Sequence, residues 1–122
     1  VWAWTGGHAD GEEDLLSVAL RELREETGAE HIVPLSTQIA SVEILPVWGH
    51  MKRGKYVCAH QHLNVTYLLT ADQADPLTPR EGENTQVGWL PADRLLELTN
   101  EWEMDEVYIK LLKRGRALLG LE

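Results

Sequence analysis

Glu22, Glu25 and Glu26 stand at i, i+3 and i+4 within the run Arg21-Glu22-Leu23-Arg24-Glu25-Glu26-Thr27-Gly28. On a helix that spacing puts the three carboxylates on one face. Three negative groups on one turn repel each other, and a divalent cation between them removes the repulsion. Upstream, Gly6-Gly7 lets the backbone approach a ligand closely and offers carbonyl oxygens, and Glu13 adds a fourth carboxylate. Arg21 lies beside Glu22 and can orient it. A run such as Glu25-Glu26 on its own is usually a solvated acidic face. The glycine pair and Arg21 at fixed spacing turn the balance toward a metal site.

These groups need a helix to hold them. Asp10 and Glu13 form a D-x-x-E pair, which predicts a capped helix over about 11 to 27. Leu15, Leu16, Ala19, Leu20 and Leu23 recur at helical spacing and predict its buried stripe. Gly28 stands where a left-handed C-cap prefers glycine.

The spacing from Gly7 through Glu13 to Arg21-Glu22-Leu23-Arg24-Glu25-Glu26-Thr27-Gly28 resembles the Nudix box, the signature of hydrolases that cut a nucleoside diphosphate linked to another group. Only the last position departs, with Ala29 where a bulky aliphatic residue is usual. Outside the strict box, Thr5 replaces a frequent proline and Asp10 a frequent glutamate. The resemblance implies an α/β/α sandwich with a mixed sheet and one Nudix domain over residues 1–122. It implies Mg²⁺ as cofactor, with Mn²⁺ as a substitute, held by Glu22, Glu25, Glu26, the Gly6 carbonyl and, directly or through water, Glu13. A water activated by the metal would attack phosphorus in line, and one glutamate would take its proton. Two candidates for that base remain: Glu22, and an acid outside the box in the loop before Trp89, where Glu83 matches best and Glu81 is the alternate.

Proteins resembling this family normally carry one or more strands before the box. Here Val1 opens the chain and the box glycine comes seven residues in. Only Val1-Trp2-Ala3-Trp4 can serve as a strand leading into the loop. The domain is therefore expected to be N-terminally short, with an edge that a neighbouring chain could fill.

Past Gly28 the pattern turns to strands. Residues 37–48 are rich in Ile, Val and Leu, and residues 56–70 alternate. Val57, Ala59, Leu63, Val65, Tyr67 and Leu69 would face one side, and Cys58, His60, His62, Asn64 and Thr66 the other. Gly49 to Lys55 reads as a hairpin-like loop. Gln86 to Leu90 reads as a short strand, residues 92–98 as a short helix, and 101–118 as a last helix capped by Asn100 and Glu103. Its inner face would be Met104, Tyr108, Leu111 and Leu112. Strands with helices on both faces fit the α/β class.

Lys52, Arg53 and Lys55 cluster in an otherwise acidic chain, and contact with a phosphate is one role for them; solubilising an exposed turn is the other. His60 and His62 are i and i+2 on a strand and face the same way. That spacing could hold a metal, but no third ligand of the right type is near in sequence. They are read, with His8 of the glycine loop, as substrate-facing or as partners of polar neighbours. Trp48, Tyr56 and Trp89 could stack on a base and serve equally well as core.

The chain has 122 residues, a length suited to one core, with 43% hydrophobic residues. Its formal net charge of −9 argues against a nucleic-acid scaffold. Cys58 is the single cysteine, which excludes an intramolecular disulfide. No apolar run reaches spanning length, so a cytoplasmic protein with no membrane association is expected. The substrate implied is a small nucleotide-type diphosphate, and a homodimer is a possible assembly. Two other function classes stay in view. One is a catalytically silent Nudix domain that binds a nucleotide or a protein, although such domains usually lose box glutamates. The other is an isoprenoid diphosphate isomerase, which needs a catalytic cysteine; Cys58 lies in no matching context.

Overall fold

The structure, a computed structural model, describes residues 4–79, 86–100 and 102–121. The first element is α1 (Leu15–Thr27). It starts later than the D-x-x-E pair predicts. Asp10 and Gly11 both take positive φ and turn the chain. Asp14 is the N-cap: its carboxylate accepts from the Ser17 amide (3.2 Å) and the Ser17 hydroxyl (2.8 Å). A short acidic side chain one turn nearer the apolar stripe satisfies the first free amides, so Glu13 stands in the loop and not on the helix. The end is as predicted. Gly28 has φ 75° and donates its amide to the Arg24 carbonyl.

After α1 come β1 (Ile32–Pro34), β2 (Ser41–Val47), β3 (His50–Lys52), β4 (Lys55–Val57), β5 (His60–Thr66) and β6 (Leu69–Ala71). They pair as β1 with β6, β2 with β5 and β3 with β4, all antiparallel. The six strands are in effect one long hairpin. Its register runs unbroken from Ser41 opposite Thr66 to Lys52 opposite Lys55. Arg53 and Gly54, both at positive φ, make the two-residue turn, whose twist suits a hairpin. Between β1 and β2, residues 35–40 stand against only residues 67–68, which separates the β1–β6 pair from the rest. The predicted strand over 56–70 is thus cut twice, and β1 is an addition.

The two registers of β5 differ in sequence, but both are open over its first half, where His60, His62 and Leu63 are all exposed. Val42 and Ile44 on β2 and Leu63 on β5 share a face and are exposed, Leu63 to 70%. The opposite face carries Ser41, Glu43, Leu45 and Val47, with His60, His62 and Asn64 across from them. Glu43 faces α3 (Asp105–Leu118), where Lys110 pairs with it at 2.9 Å. A charged residue on that face is tolerated because it has a partner. Burial alone would push the Glu43 carboxyl up. Hydrogen bonds from Ser41 and Lys110, with the charges of Lys110 and Arg114, hold it below the usual range.

A 3₁₀ turn (Ala92–Arg94) leads into α2 (Leu95–Thr99), near the expected span. Asn100, expected as an N-cap, is instead the left-handed C-cap of α2. A second 3₁₀ turn (Trp102–Met104) then feeds α3. Gln86 to Leu90 is not a strand. Met104, Tyr108 and Leu111 are buried as predicted, at i, i+4 and i+7. They form the core with Val18, Ala29, Ile32 and Ala40. Trp4 packs edge-on against Tyr108, with ring centroids 5.6 Å apart, which ties the start of the glycine loop to α3. No helix among the described residues is long and apolar enough to cross a membrane.

Candidate active site

The glycine loop and α1 meet at their acidic side chains. The Gly6 amide donates to Glu26 Oε2 at 3.2 Å. At Gly7 a Cβ would overlap the Glu22 carboxylate, so this position has room for glycine alone unless Glu22 moves. The Glu22 side chain is only 13% exposed, and Arg21 Nη2 lies 3.9 Å from its Oε1. Glu26 is half-buried, while Glu25 and Glu13 are exposed. The structure therefore brings Gly6, Gly7, Arg21, Glu22 and Glu26 together, with Glu25 on the same turn. Carboxylate oxygens beside an exposed backbone loop are a donor set suited to a hard cation such as Mg²⁺ or Mn²⁺. The absence of any Cβ over Glu22 leaves that side of the cradle open.

The end of α1 is fixed by a separate set of contacts. Thr27 donates its hydroxyl to the Leu23 carbonyl and accepts from the Ala29 amide. Ala29 is buried to 3% exposure, which favours a small residue at the one box position that departs from the pattern. The Thr78 amide donates to the Thr27 carbonyl, and a Cβ on Gly28 would press on Thr78. Asp75 accepts the amides of Glu30 and His31 and pairs with His31 Nδ1 at 2.7 Å. Hydrogen bonding to Asp75 raises the His31 pKa, and hydrogen bonds from the His31 amide and ring lower that of Asp75. His31, Asp72 and Asp75 lie close enough to share a cation, yet Asp75 and Asp72 are already engaged with backbone amides. Sequence reading did not single out this clamp, because its halves are more than forty residues apart.

The histidines gather at the other flank of the loop. His60 Nε2 and His62 Nε2 are 3.0 Å apart, and the His8 ring stands edge-on to His62 at 5.6 Å. Sequence spacing showed the pair but not His8 beside it. Lys52, Arg53 and Lys55 lie exposed around the hairpin turn. Trp48, Tyr56 and Trp89 are all exposed, Trp48 to 75%, so none of them is core. Tyr56 lies over Gly49, where a Cβ would collide with its hydroxyl. Glu81 and Glu83 lie outside the described residues, as does most of the expected strand Val1 to Trp4. An apolar groove between Asp93 and the Ile109, Leu112 and Arg116 side of α3 involves none of the box residues.

An acid-bearing helix docked on a glycine loop is an arrangement that could hold a divalent cation. The NUDIX domain model matches residues 1–111, and the chain belongs to the NUDIX family, whose members generally hydrolyse small nucleotide-type substrates with divalent metals. No curated protein matches the chain.

Proposed function

We propose that residues 1–122 act as a single cytoplasmic NUDIX domain, an α/β/α sandwich with a mixed sheet, that cleaves the pyrophosphate bond of a nucleoside diphosphate linked to another group. The observation that carries this reading is the docking of Gly6 and Gly7 on Glu26 and Glu22. Glu22, Glu25, Glu26 and the Gly6 carbonyl would hold Mg²⁺ or Mn²⁺, with Glu13 reaching it from the loop. When bound, the cation supplies charge neutralisation at the pyrophosphate and a lowered pKa for water.

The chain's own groups do the rest. Glu22 would take a proton from the attacking water, a role supported by its position beneath Gly7 and beside Arg21. Glu83 is the other candidate for that role. Arg21, with Nη2 3.9 Å from Glu22 Oε1, would orient that carboxylate. His8, His60 and His62 offer ring nitrogens to the substrate beside the loop, and Lys52, Arg53 and Lys55 offer cations to its phosphates.

The test is chromatographic separation of the products formed in Mg²⁺ from nucleoside triphosphates (a nucleotide with phosphate or pyrophosphate), ADP-ribose (AMP and ribose 5-phosphate) and diadenosine polyphosphates (two nucleotides), by this chain and by Glu26→Gln. The expected result is turnover by the first and less than about a tenth of it by the second, with the fold intact by circular dichroism. Equal rates from the two would overturn the assignment of Glu26. Silence from the unsubstituted chain on every diphosphate would favour a binding domain over an enzyme.

A further inference from the structure

The histidine cluster has a geometry that substrate contact does not require. His60 Nδ1 lies 2.8 Å from the Cys58 carbonyl, and a carbonyl can only accept. In its neutral form the ring therefore carries its proton on Nδ1, and the Nε2 lone pair is turned outward. A histidine that gives its Nδ1 proton to a backbone carbonyl and presents Nε2 is the form that binds metals, with the carbonyl fixing ring and tautomer. The nitrogen facing it, His62 Nε2, is 3.0 Å away. Two imidazole nitrogens on neighbouring sites of one ion are about 2.9–3.3 Å apart, given metal–nitrogen bonds of about 2.0–2.1 Å. The rings are tilted by 51°, with centroids 4.8 Å apart. His8 comes from the far side of the chain, edge-on to His62 at 87°.

The partners' register holds the pair in place. His60 and His62 are opposite Val47 and Leu45 in the unbroken β2–β5 ladder, so neither can slip without moving the ribbon. All three rings are exposed and open to an ion from solution.

From this geometry we infer that His60 and His62 form a two-imidazole site for an ion such as Zn²⁺, Ni²⁺ or Cu²⁺, separate from the carboxylate site proposed on α1, with water completing the ion's coordination. Binding requires His62 to carry its proton on Nδ1, so that both Nε2 lone pairs face the ion; no proton is gained or lost between neutral rings. The two sites differ in donor type. Nitrogen donors suit Zn²⁺, Ni²⁺ and Cu²⁺, whereas Mg²⁺ prefers oxygen.

The experiment is calorimetric titration of tag-free, chelator-stripped protein with Ni²⁺, in the presence of excess Mg²⁺. Wild type is expected to bind one ion per chain. The double variant His60→Ala/His62→Ala should bind about tenfold more weakly or worse. Glu26→Gln should bind Ni²⁺ like wild type. Unchanged affinity in the double variant overturns the site, and loss in Glu26→Gln would overturn it by assigning the ion to the carboxylates. Electron paramagnetic resonance of Cu²⁺-loaded wild type needs no variant to fold. Nitrogen couplings from at least two imidazoles are expected, and their absence overturns the inference.

Discussion

Gly7→Ala separates activity from stability more cleanly than any other substitution in the chain. Gly7 is not among the glycines at positive φ, so alanine meets no backbone penalty there. The nearest atoms the added methyl meets all belong to the Glu22 side chain. Relief at an ordinary carbon contact of about 3.5–4 Å requires that carboxylate to move by on the order of 1 Å. The carboxylate is the far end of a flexible side chain, so the fold yields cheaply, and the melting temperature should shift by no more than about 2–3 °C. The same displacement falls on the group proposed to take the proton. A misplacement of about 1 Å at a reacting group costs about 10²-fold, or roughly 2.7 kcal/mol of transition-state stabilisation. The assay pairs kcat/KM in Mg²⁺ with thermal melting for the two proteins. A variant within about threefold of the wild-type rate would remove Glu22 from the reaction, given the size expected of such a displacement. A large drop in melting temperature with proportionate loss of rate would make the Gly7–Glu22 contact merely structural.

Chelation should stop turnover by the wild type, and Mg²⁺ or Mn²⁺ should each restore it; activity that survives exhaustive chelation refutes the cation's role. Asp75→Asn should lower the melting temperature most between the ordinary pKa values of aspartate and histidine. The raised pKa of His31 makes the ion pair's stabilisation full below the unfolded histidine value and lost as pH rises through the folded one. The lowered pKa of Asp75 makes its share full above the unfolded aspartate value and lost as pH falls through the folded one. Melting curves at pH 5.5 and 8.5 should therefore show the larger wild-type advantage at pH 5.5, and the reverse order would contradict the pairing. Lys110→Met should cost roughly 1–2 kcal/mol at pH 7, because the Glu43 carboxylate keeps the Ser41 hydrogen bond and the Arg114 charge but loses its ion-pair hydrogen bond. Since the Glu43 pKa is lowered, that cost should fade as pH drops through its folded value, which denaturant titrations at pH 7 and pH 3 would show.

The acidic helix α1 was readable because its signals are local. Carboxylate spacing, an apolar stripe and a terminal glycine all act within one or two turns. Its start was misplaced for a local reason too: Asp10 and Asp14 are both plausible caps, and only the positive φ of Asp10 and Gly11 decides between them. The same ambiguity moved Asn100 from the head of one helix to the tail of another. The hairpin was legible as alternation, but alternation says only that two faces differ. Which face turns inward depended on Lys110, sixty-seven residues from Glu43, and no pattern within a strand carries that. The break between the β1–β6 and β2–β5 pairs depends on six residues facing two across the ladder, which is equally invisible from one strand. The histidine pair was visible at i, i+2, whereas His8 joins it only through the fold.

The turn at Arg53-Gly54 also bears on how fast this chain can find its shape. Closing a two-residue loop costs little chain entropy, and each pair formed beyond it brings the next within reach. The ladder from Lys52 opposite Lys55 down to Ser41 opposite Thr66 can therefore zip from its tip, a process that takes on the order of microseconds in isolated hairpins. The excursion at residues 35–40 is where zipping must pause, because β1 and β6 can meet only after six residues have been looped out. The histidines sit on the early side of that pause. The clamp that binds the end of the acidic helix to residues 72–78 sits on the late side, so the carboxylates should be the last part of the site to assemble.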